Sequence, residues 1–268
     1  MGFLDNLKIN KLGNNAHNAH VQANDFYRRG RLADAKKKFE EALNLYDEAY
    51  KAGNRKTDIM MSYSVLLMRY GMFEKARELM KEISSLNPKM SEETHFELRM
   101  NYSICLWRMG ILDKAIETCR YAGKHRKNGS YYASLGTFLV ENAGKTGALE
   151  DFEDARVLLE QAMEYDDEDA ATLDNYGEYY RQLSLKAARE GNEEEAKAFR
   201  SQSVEYYKKA HEFKASQITT LYALANFALE DGDKKRAQEL IDRAIMHSGS
   251  KVCPVSIEML REVKAKTV

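Results

Sequence analysis

The sequence has 268 residues but no run of 18 apolar residues, which is the length that a membrane-spanning helix needs. It contains only two prolines, so long uninterrupted helices are possible. Three cysteines, Cys105, Cys119 and Cys253, are too few for a disulfide framework and are expected to be buried packing residues. The first residues lack the basic flank and apolar core of a signal peptide. These absences predict a cytoplasmic protein without a membrane span.

The sequence also lacks a complete motif for a nucleotide-binding, metal-binding or catalytic site. Gly144-Lys145-Thr146 matches the end of a phosphate-binding loop, but Leu139 stands where that loop needs its first glycine. His17 and His20 are three residues apart and could share a metal, yet no cysteine or third histidine lies near them in the sequence. No nucleophile, base and orienting group can be assembled. We therefore expect no enzymatic activity, no cofactor and no metal.

Charge is balanced in total and uneven along the chain. The net charge is −1, whereas a general nucleic-acid binder is usually clearly basic. Residues 1–128 carry 23 Lys and Arg against 16 Asp and Glu, a net of +7, and residues 129–268 carry 18 against 26, a net of −8. The split either influences the choice of partners or reflects the solvated outer faces of acidic helices.

The stretch from Arg99 to Ala122 shows the unit from which the chain is built. Apolar residues at spacings of three and four lie on both sides of Gly110, which predicts two amphipathic helices joined by a tight turn. Gly110 is the expected left-handed end of the first helix. Ala115, five residues later, is predicted to lie where the second helix presses against the first and a larger side chain would not fit.

This pattern recurs with a period close to 40 residues, which is typical of a helical solenoid. Glycine precedes alanine by five residues at Gly30/Ala35, Gly71/Ala76, Gly110/Ala115, Gly191/Ala196 and Gly232/Ala237, and Ala155 adds a sixth alanine without such a glycine. Each first helix also carries a small residue directly after a larger one, at Gln22-Ala23, Tyr63-Ser64, Tyr102-Ser103, Leu135-Gly136, Tyr176-Gly177 and Leu224-Ala225.

With these residues the chain, over roughly positions 16 to 247, resembles the tetratricopeptide repeat (TPR) family. The resemblance implies an all-α, right-handed superhelical solenoid of about six antiparallel helix pairs, with the first helix of each pair lining the inner side. It also implies a scaffold that binds other proteins and has no single chemistry. The subfamily that binds the acidic tails of chaperones has Lys and Asn at particular inward positions. This chain lacks most of these residues, so that partner is disfavoured.

We expect residues 1–13 to be a leader or cap, residues 14–249 to form six hairpins in one continuous solenoid, and residues 250–268 to form a C-terminal capping helix opened by Pro254. The apolar spacing predicts helices near 15–29, 32–52, 56–70, 73–86, 91–109, 112–124, 130–143, 149–165, 169–190, 192–214, 217–230 and 233–247. The fifth hairpin, with seven extra residues on each arm, should be the longest and should protrude.

By the resemblance, the inward positions of repeats two and three carry Met, Val, Ile and Trp, and repeats one to three each carry an arginine in one equivalent position. Adaptable methionines beside a rigid aromatic residue suit a peptide-binding surface. The predicted partner-binding groove comprises Tyr27, Arg28, Met61, Val65, Met68, Arg69, Met100, Ile104, Trp107 and Arg108. The alternative is that these apolar side chains pack between helices and that the arginines pair locally.

Three functions remain open at this point. The first is an interaction scaffold that binds a peptide or an amphipathic helix with some acidic residues. The second is a self-assembling structural protein, in which the basic half of one copy meets the acidic half of another. The third is a helical-repeat RNA binder that uses Lys36–Lys38 and Lys124–Lys127, which the acidic second half disfavours.

Overall fold

A computed structural model describes residues 3–267, and within that range the chain contains thirteen α-helices joined by turns and loops, with no strand. The helices are α1 Phe3–Arg28, α2 Leu32–Lys51, α3 Thr57–Arg69, α4 Phe73–Leu86, α5 Glu92–Arg108, α6 Leu112–Gly123, α7 Gly129–Thr146, α8 Leu149–Tyr165, α9 Ala170–Arg189, α10 Glu193–Phe213, α11 Ile218–Glu230, α12 Lys234–His247 and α13 Ile257–Ala265. The predicted all-α helical-repeat fold is confirmed. No helix among the described residues is long and apolar enough to cross a bilayer.

The turns inside the hairpins are alike because the glycine of each turn has a left-handed backbone. Gly30, Gly71, Gly110, Gly191 and Gly232 have φ between 73° and 81°, a conformation that costs glycine nothing. The residue after each glycine donates its backbone N–H five residues back, as Ile111 does to the carbonyl of Leu106 at 2.9 Å. This bond belongs to the Schellman motif, which ends a helix and turns the chain sharply.

The alanines five residues after these glycines are buried, as the sequence predicts, and so is the sixth alanine of the series, Ala155, which has no such glycine. Ala35, Ala76, Ala115, Ala155, Ala196 and Ala237 are each at most 9% exposed. The small residues of the first helices are also buried, and at Gly177 a Cβ atom would lie only 2.8 Å from the ring of Tyr207. The core therefore depends on small residues wherever helices approach closely.

The chain divides into two compact units. Unit 1 contains residues up to Cys105 together with Ser250–Val252, and unit 2 contains Leu106–Gly249 together with the residues from Cys253 onward. In unit 1, α1 packs on α2 and α3, and α3 packs on α4. In unit 2, α7 contacts α8 and α9, α9 pairs with α10, and α11 pairs with α12. Six hairpins in one continuous solenoid remains an expectation.

The N-terminal boundary of the first helix differs from the predicted start near residue 15. α1 is continuous from Phe3, so residues 3–13 are its first turns; Met1 and Gly2 lie outside the described residues. The reason is tertiary packing: Asn54 donates its Nδ2–H to the carbonyl of Ile9 at 3.2 Å, and a Cβ on Gly13 would lie 2.5 Å from that nitrogen. Glycine is a poor helix former, but only glycine at position 13 leaves room for the side chain of Asn54 against α1.

The C-terminal helix also begins later than predicted. α13 starts at Ile257 rather than at Pro254, because the side chain of Ser256 accepts a hydrogen bond from the backbone N–H of Met259 and caps the helix. Its buried residues Leu260 and Val263 join the apolar cluster of α11 and α12. Residues 248–256 are therefore a non-helical connection between α12 and α13.

The fifth hairpin has the long arms that the sequence predicts, with 20 residues in α9 and 21 in α10. Its neighbours in unit 2 are shorter, from 13 residues in α11 to 18 in α7. The prediction that it is the longest hairpin is wrong, because α1 has 26 residues and α2 has 20. Ser184 donates to the carbonyl of Ala196 at 2.7 Å and holds the outer part of the arms together.

Candidate functional site: the α1–α3 face of unit 1

One stripe of α3 remains accessible while most of the helix around it is buried. Met61 is half-buried, Val65 is 37% exposed, and Arg69 is half-buried. Spacings of four residues place all three on one side of the helix. Every other residue from Ile59 to Met68, except Ser62, is buried. This stripe, with Tyr27 and Arg28 at the end of the neighbouring α1, is called here the α1–α3 face.

Two methionines predicted to line the groove are buried instead. Met68 is 2% exposed and Met100 is 4% exposed, so neither offers apolar area to a partner. The assignment of these two methionines was wrong by one helical position: in each helix the next residue, Arg69 in α3 and Asn101 in α5, is half-buried. A shift of one residue rotates a helical side chain by about 100°, which separates a core position from a surface position.

The side chain of Arg69, on α3, contacts aromatic rings of both α1 and α2. Its guanidinium carbon lies 3.9 Å from the ring centroid of Phe39 and 5.4 Å from that of Tyr27, and burial lowers its pKa. Stacking of this kind stabilises a cation that has lost part of its hydration. Arg69 is therefore part of the packing of the face rather than a cation at its solvated rim, whereas Arg28 is exposed.

His20, on α1, packs against the aromatic rings of α2, close enough to Arg69 to feel its charge. Its ring centroid is 5.8 Å from that of Phe39 and 6.0 Å from that of Tyr46, both edge-on. Burial, helped by the charges of His17 and Arg69, lowers the pKa of His20 to about 4. The imidazole is therefore neutral at pH 7. His17 is exposed, and the described residues hold no cluster of three or more side chains suited to a metal ion.

The end of α3 is also contacted by a distant part of the sequence that belongs to unit 1. The backbone N–H of Lys251 donates to the carbonyl of Arg69 at 2.9 Å. A Cβ on Gly71 would lie 3.3 Å from Cγ of Lys251 and 3.4 Å from its Cβ, so the lysine stem passes close over the turn. Sequence reasoning missed this contact because nothing in the local pattern links positions 69 and 251.

Trp107 and Arg108, which the sequence groups with the site, belong to unit 2. The indole N–H of Trp107 donates to Glu141 at 2.6 Å, and its ring centroid lies 5.5 Å from that of Phe138. Trp107 is therefore half-buried against α7, and its polar atom already has a partner. Arg108 lies over the same ring, 5.3 Å from the centroid. The equivalent placement of Arg28, Arg69 and Arg108 along one groove remains a prediction.

In unit 2, polar side chains of α9 are bonded to one another and to residues of α10 and α11. Arg181 pairs with Glu178 at 2.7 Å, and Glu178 also accepts from Tyr207 at 2.8 Å. Asp174 accepts from Thr220 at 2.5 Å, and burial raises its pKa to about 6. These contacts join neighbouring helices.

The residues that match part of a phosphate-binding loop have structural roles. Gly144 lies in α7 where a Cβ would be 2.6 Å from the side chain of Gln182. Lys145 pairs with Glu141 at 2.6 Å. Thr146 donates to Asp151 at 2.5 Å and accepts from the backbone N–H of Ala148. Close packing, an ion pair and a helix start account for all three.

Comparison with protein-family models finds no match, and comparison with curated protein sequences finds none either. Solved structures do match. A thermophilic TPR protein of Thermus thermophilus, TTC0263, superposes with a TM-score of 0.56 over 79% of this chain and 98% of its own, at 17% identity. PilW, a type IV pilus biogenesis factor, matches with a TM-score of 0.50 over 85% of this chain and 91% of its own, at 15% identity. At such identities the likeness is one of fold.

Proposed function

Because the chain has the fold of the tetratricopeptide repeat family, we propose that it is a non-enzymatic scaffold whose α1–α3 face binds a peptide or an amphipathic helix of a partner protein. The observation that carries the proposal is the stripe of Met61, Val65 and Arg69, which keeps apolar area accessible on a helix whose other sides are buried. Burying such area supplies affinity.

The chemistry of the face favours a segment with apolar anchors three or four residues apart, since that spacing matches residues along a helix. Val65 and Met61 offer apolar contact, and the flexible methionine adapts to different side chains. The exposed Arg28 adds a cation at the edge, where a carboxylate of the partner would improve register and association rate more than affinity. The segment is therefore expected to be amphipathic and partly acidic.

A pair of matched variants tests this proposal. Val65→Asp places a charge in the stripe, and Leu86→Asp places the same charge on α4, where Leu86 is 50% exposed. Burying an unpaired carboxylate is costly, so Val65→Asp should lose partners that the wild-type chain captures from its native cells, at least tenfold by quantitative mass spectrometry. Leu86→Asp should keep them, and both should keep the wild-type circular dichroism spectrum.

Three other results would decide against this assignment. Equal capture by both variants would mean that the α1–α3 face does not bind. Capture of nothing but further copies of this chain, lost at high salt, would support self-assembly through the oppositely charged halves, because exposed charges are screened. Recovery of RNA whose binding weakens steeply with salt would support the helical-repeat RNA binder.

A further inference from the structure

The fifth hairpin carries three tyrosine rings that lie nearly parallel to one another. Tyr176 and Tyr180 are one turn apart on α9, and Tyr206 lies opposite them on α10. The ring centroid of Tyr206 is 4.8 Å from that of Tyr176 and 5.5 Å from that of Tyr180, with interplanar angles of 13° and 15°. These three residues are called here the tyrosine platform.

The distances show that the other two rings cover only one face of Tyr206. The centroids of Tyr176 and Tyr180 are 6.3 Å apart. Two rings stacked on opposite sides of a third would be at least about 7 Å apart, which is twice the contact distance of two carbon atoms. Both rings therefore lie on the same side of Tyr206, and the opposite face of this half-buried side chain is turned away from α9.

A cation of the chain itself already lies over this ring. The ammonium of Lys209, one turn further along α10, is 5.3 Å from the centroid of Tyr206. Because rings of α9 fill the inner face, the ammonium lies on the outer face. Lys209 is exposed, and so is Glu205, with which it pairs at 2.8 Å, so neither contact holds the lysine strongly. The outer face of Tyr206 therefore attracts cations and stays accessible to one from another molecule.

Carboxylates of α8 border the same tyrosines. Burial, with a contribution from the charge of Glu160, raises the pKa of Tyr176 and of Tyr180, so this carboxylate lies near both rings. Helix α8 carries six acidic residues against a single basic one, Arg156. That arginine is bound between Glu153 and Glu160. The edge of the platform that faces α8 is therefore acidic.

We propose that the tyrosine platform and the acidic edge of α8 form a second interaction surface, which binds an arginine-bearing segment of a partner protein. A planar guanidinium stacks on an aromatic ring and donates to carboxylates in a fork, whereas an ammonium is a compact, strongly hydrated point charge. The chain shows both kinds of contact, in Lys209 over the ring and in Arg156 between two carboxylates. The inference does not rest on the α1–α3 face, whose expected partner has the opposite charge.

The charge of the surrounding sequence complements such a segment. Residues 150–195, which contain most of α8 and all of α9, hold 16 acidic residues against four basic ones. A field of one sign steers segments of the other sign and raises their association rate. Charge alone would accept lysine and arginine equally, so a preference for arginine is what the platform adds.

Two synthetic peptides of equal length and charge measure this preference. One consists of arginine only and the other of lysine only, both labelled with fluorescein, and each is titrated with the full chain at about 0.1 M salt, where distant charges are largely screened. By fluorescence anisotropy, the wild-type chain should bind the arginine peptide roughly two- to fivefold more tightly than the lysine peptide, which is the effect of one exposed cation–π contact.

Two pairs of variants place the binding on this surface. Tyr206→Leu removes the aromatic face and keeps apolar area, so the preference for arginine should disappear, whereas Tyr206→Phe keeps the ring and should keep the preference. Glu160→Gln removes a carboxylate at the edge and should weaken binding of the arginine peptide about twofold. Glu262→Gln makes the same change at an exposed position of α13 and should leave binding unchanged.

Three results would overturn the proposal. Equal binding of the two peptides to wild type, or a preference that persists in Tyr206→Leu, would show an acidic surface without a selective platform. A wild-type dimer in sedimentation that Tyr206→Leu converts to a monomer would assign the surface to a second copy of this chain. Should Tyr206→Leu alter the circular dichroism spectrum, the exposed pair decides: equal affinity of Glu160→Gln and Glu262→Gln for the arginine peptide would place its binding away from α8.

Discussion

At the scale of single residues, the histidine behind Arg69 shows how the aromatic environment of a side chain decides its charge. The sequence shows His20 only as a neighbour of His17, three residues away, without a third ligand for a metal. In the structure the rings of Phe39 and Tyr46 lie edge-on to His20, and the hydroxyl of Tyr46 lies 3.5 Å from its Nδ1. An imidazole in such surroundings is disfavoured as a cation, and the nearby guanidinium of Arg69 adds to the effect.

This environment predicts a defined loss of stability in acid. The pKa of His20 is about 4 in the folded chain and 6.5 when unfolded, so only the unfolded state takes up the proton between these values. The resulting stabilisation is complete above pH 6.5 and disappears as the pH falls to 4; it amounts to at most about 3 kcal/mol. His20→Asn should flatten this part of the profile.

Urea denaturation at pH 7.5, 5.5 and 4.5 measures the effect as the difference between wild type and His20→Asn. The difference should favour wild type most at pH 7.5 and shrink with each step into acid. His17→Asn is the matched control, because His17 is exposed on the same helix. A pH-independent difference for His20→Asn would show that the imidazole titrates normally and that its surroundings are more hydrated than the structure indicates.

At the scale of elements, the hairpin was the most predictable object in the sequence. Gly110 and Ala115 predicted a turn and a close approach, and both are present: Gly110 has φ of 79° and Ala115 is fully buried. The prediction succeeded because both constraints are local. A left-handed turn needs glycine, and a second helix returning over the first needs a small side chain near its start.

Ala115→Leu tests this close approach. The extra atoms have no space at a fully buried position, so the free energy of unfolding should fall by roughly 1–3 kcal/mol. Ala198→Leu on α10 is the control, because Ala198 is exposed and leucine is nearly as good a helix former as alanine. Thermal unfolding followed by circular dichroism measures both. Equal melting temperatures for Ala115→Leu and wild type would mean that the helix pairing is misassigned.

The elements that were mispredicted depend on partners far away in the sequence. Gly13 and the asparagines around it weaken the helical pattern at the N-terminus, yet α1 continues through them because Asn54 reaches across from the loop after α2. At the other end, Pro254 suggested a helix start, but Ser256 is the residue that caps α13. Local sequence patterns do not predict which loop packs on which helix.

At the scale of the whole molecule, periodicity predicted the fold and left the site only partly defined. The 40-residue repeat was sufficient for an all-α solenoid, because each hairpin must bury its apolar side against the next one. Five of the ten predicted groove residues form the α1–α3 face, Met68 and Met100 are buried, and Ile104, Trp107 and Arg108 lie outside that face. An error of one residue in the assigned register of a helix turns a surface position into a core position, and the sequence alone does not fix that register.

The contact between Ser250–Val252 and α3 could not be predicted for a different reason. A solenoid is expected to place contacts between neighbours in the sequence, and this contact joins residues about 180 positions apart. It involves the backbone carbonyl of Arg69 and the absence of a side chain at Gly71. Neither feature has a sequence signature of its own, since every hairpin turn contains a similar glycine.

Site-specific photo-crosslinking in the native cell can show whether the α1–α3 face binds a partner protein. A benzophenone amino acid at position 65 reports whatever covers the α1–α3 face, and the same amino acid at position 86 serves as the control, because both side chains are accessible and both lie in unit 1. If the face binds a partner, we expect a crosslink from position 65 to one defined segment of another protein, and none from position 86. No crosslink at position 65, or the same products from both positions, would contradict this expectation.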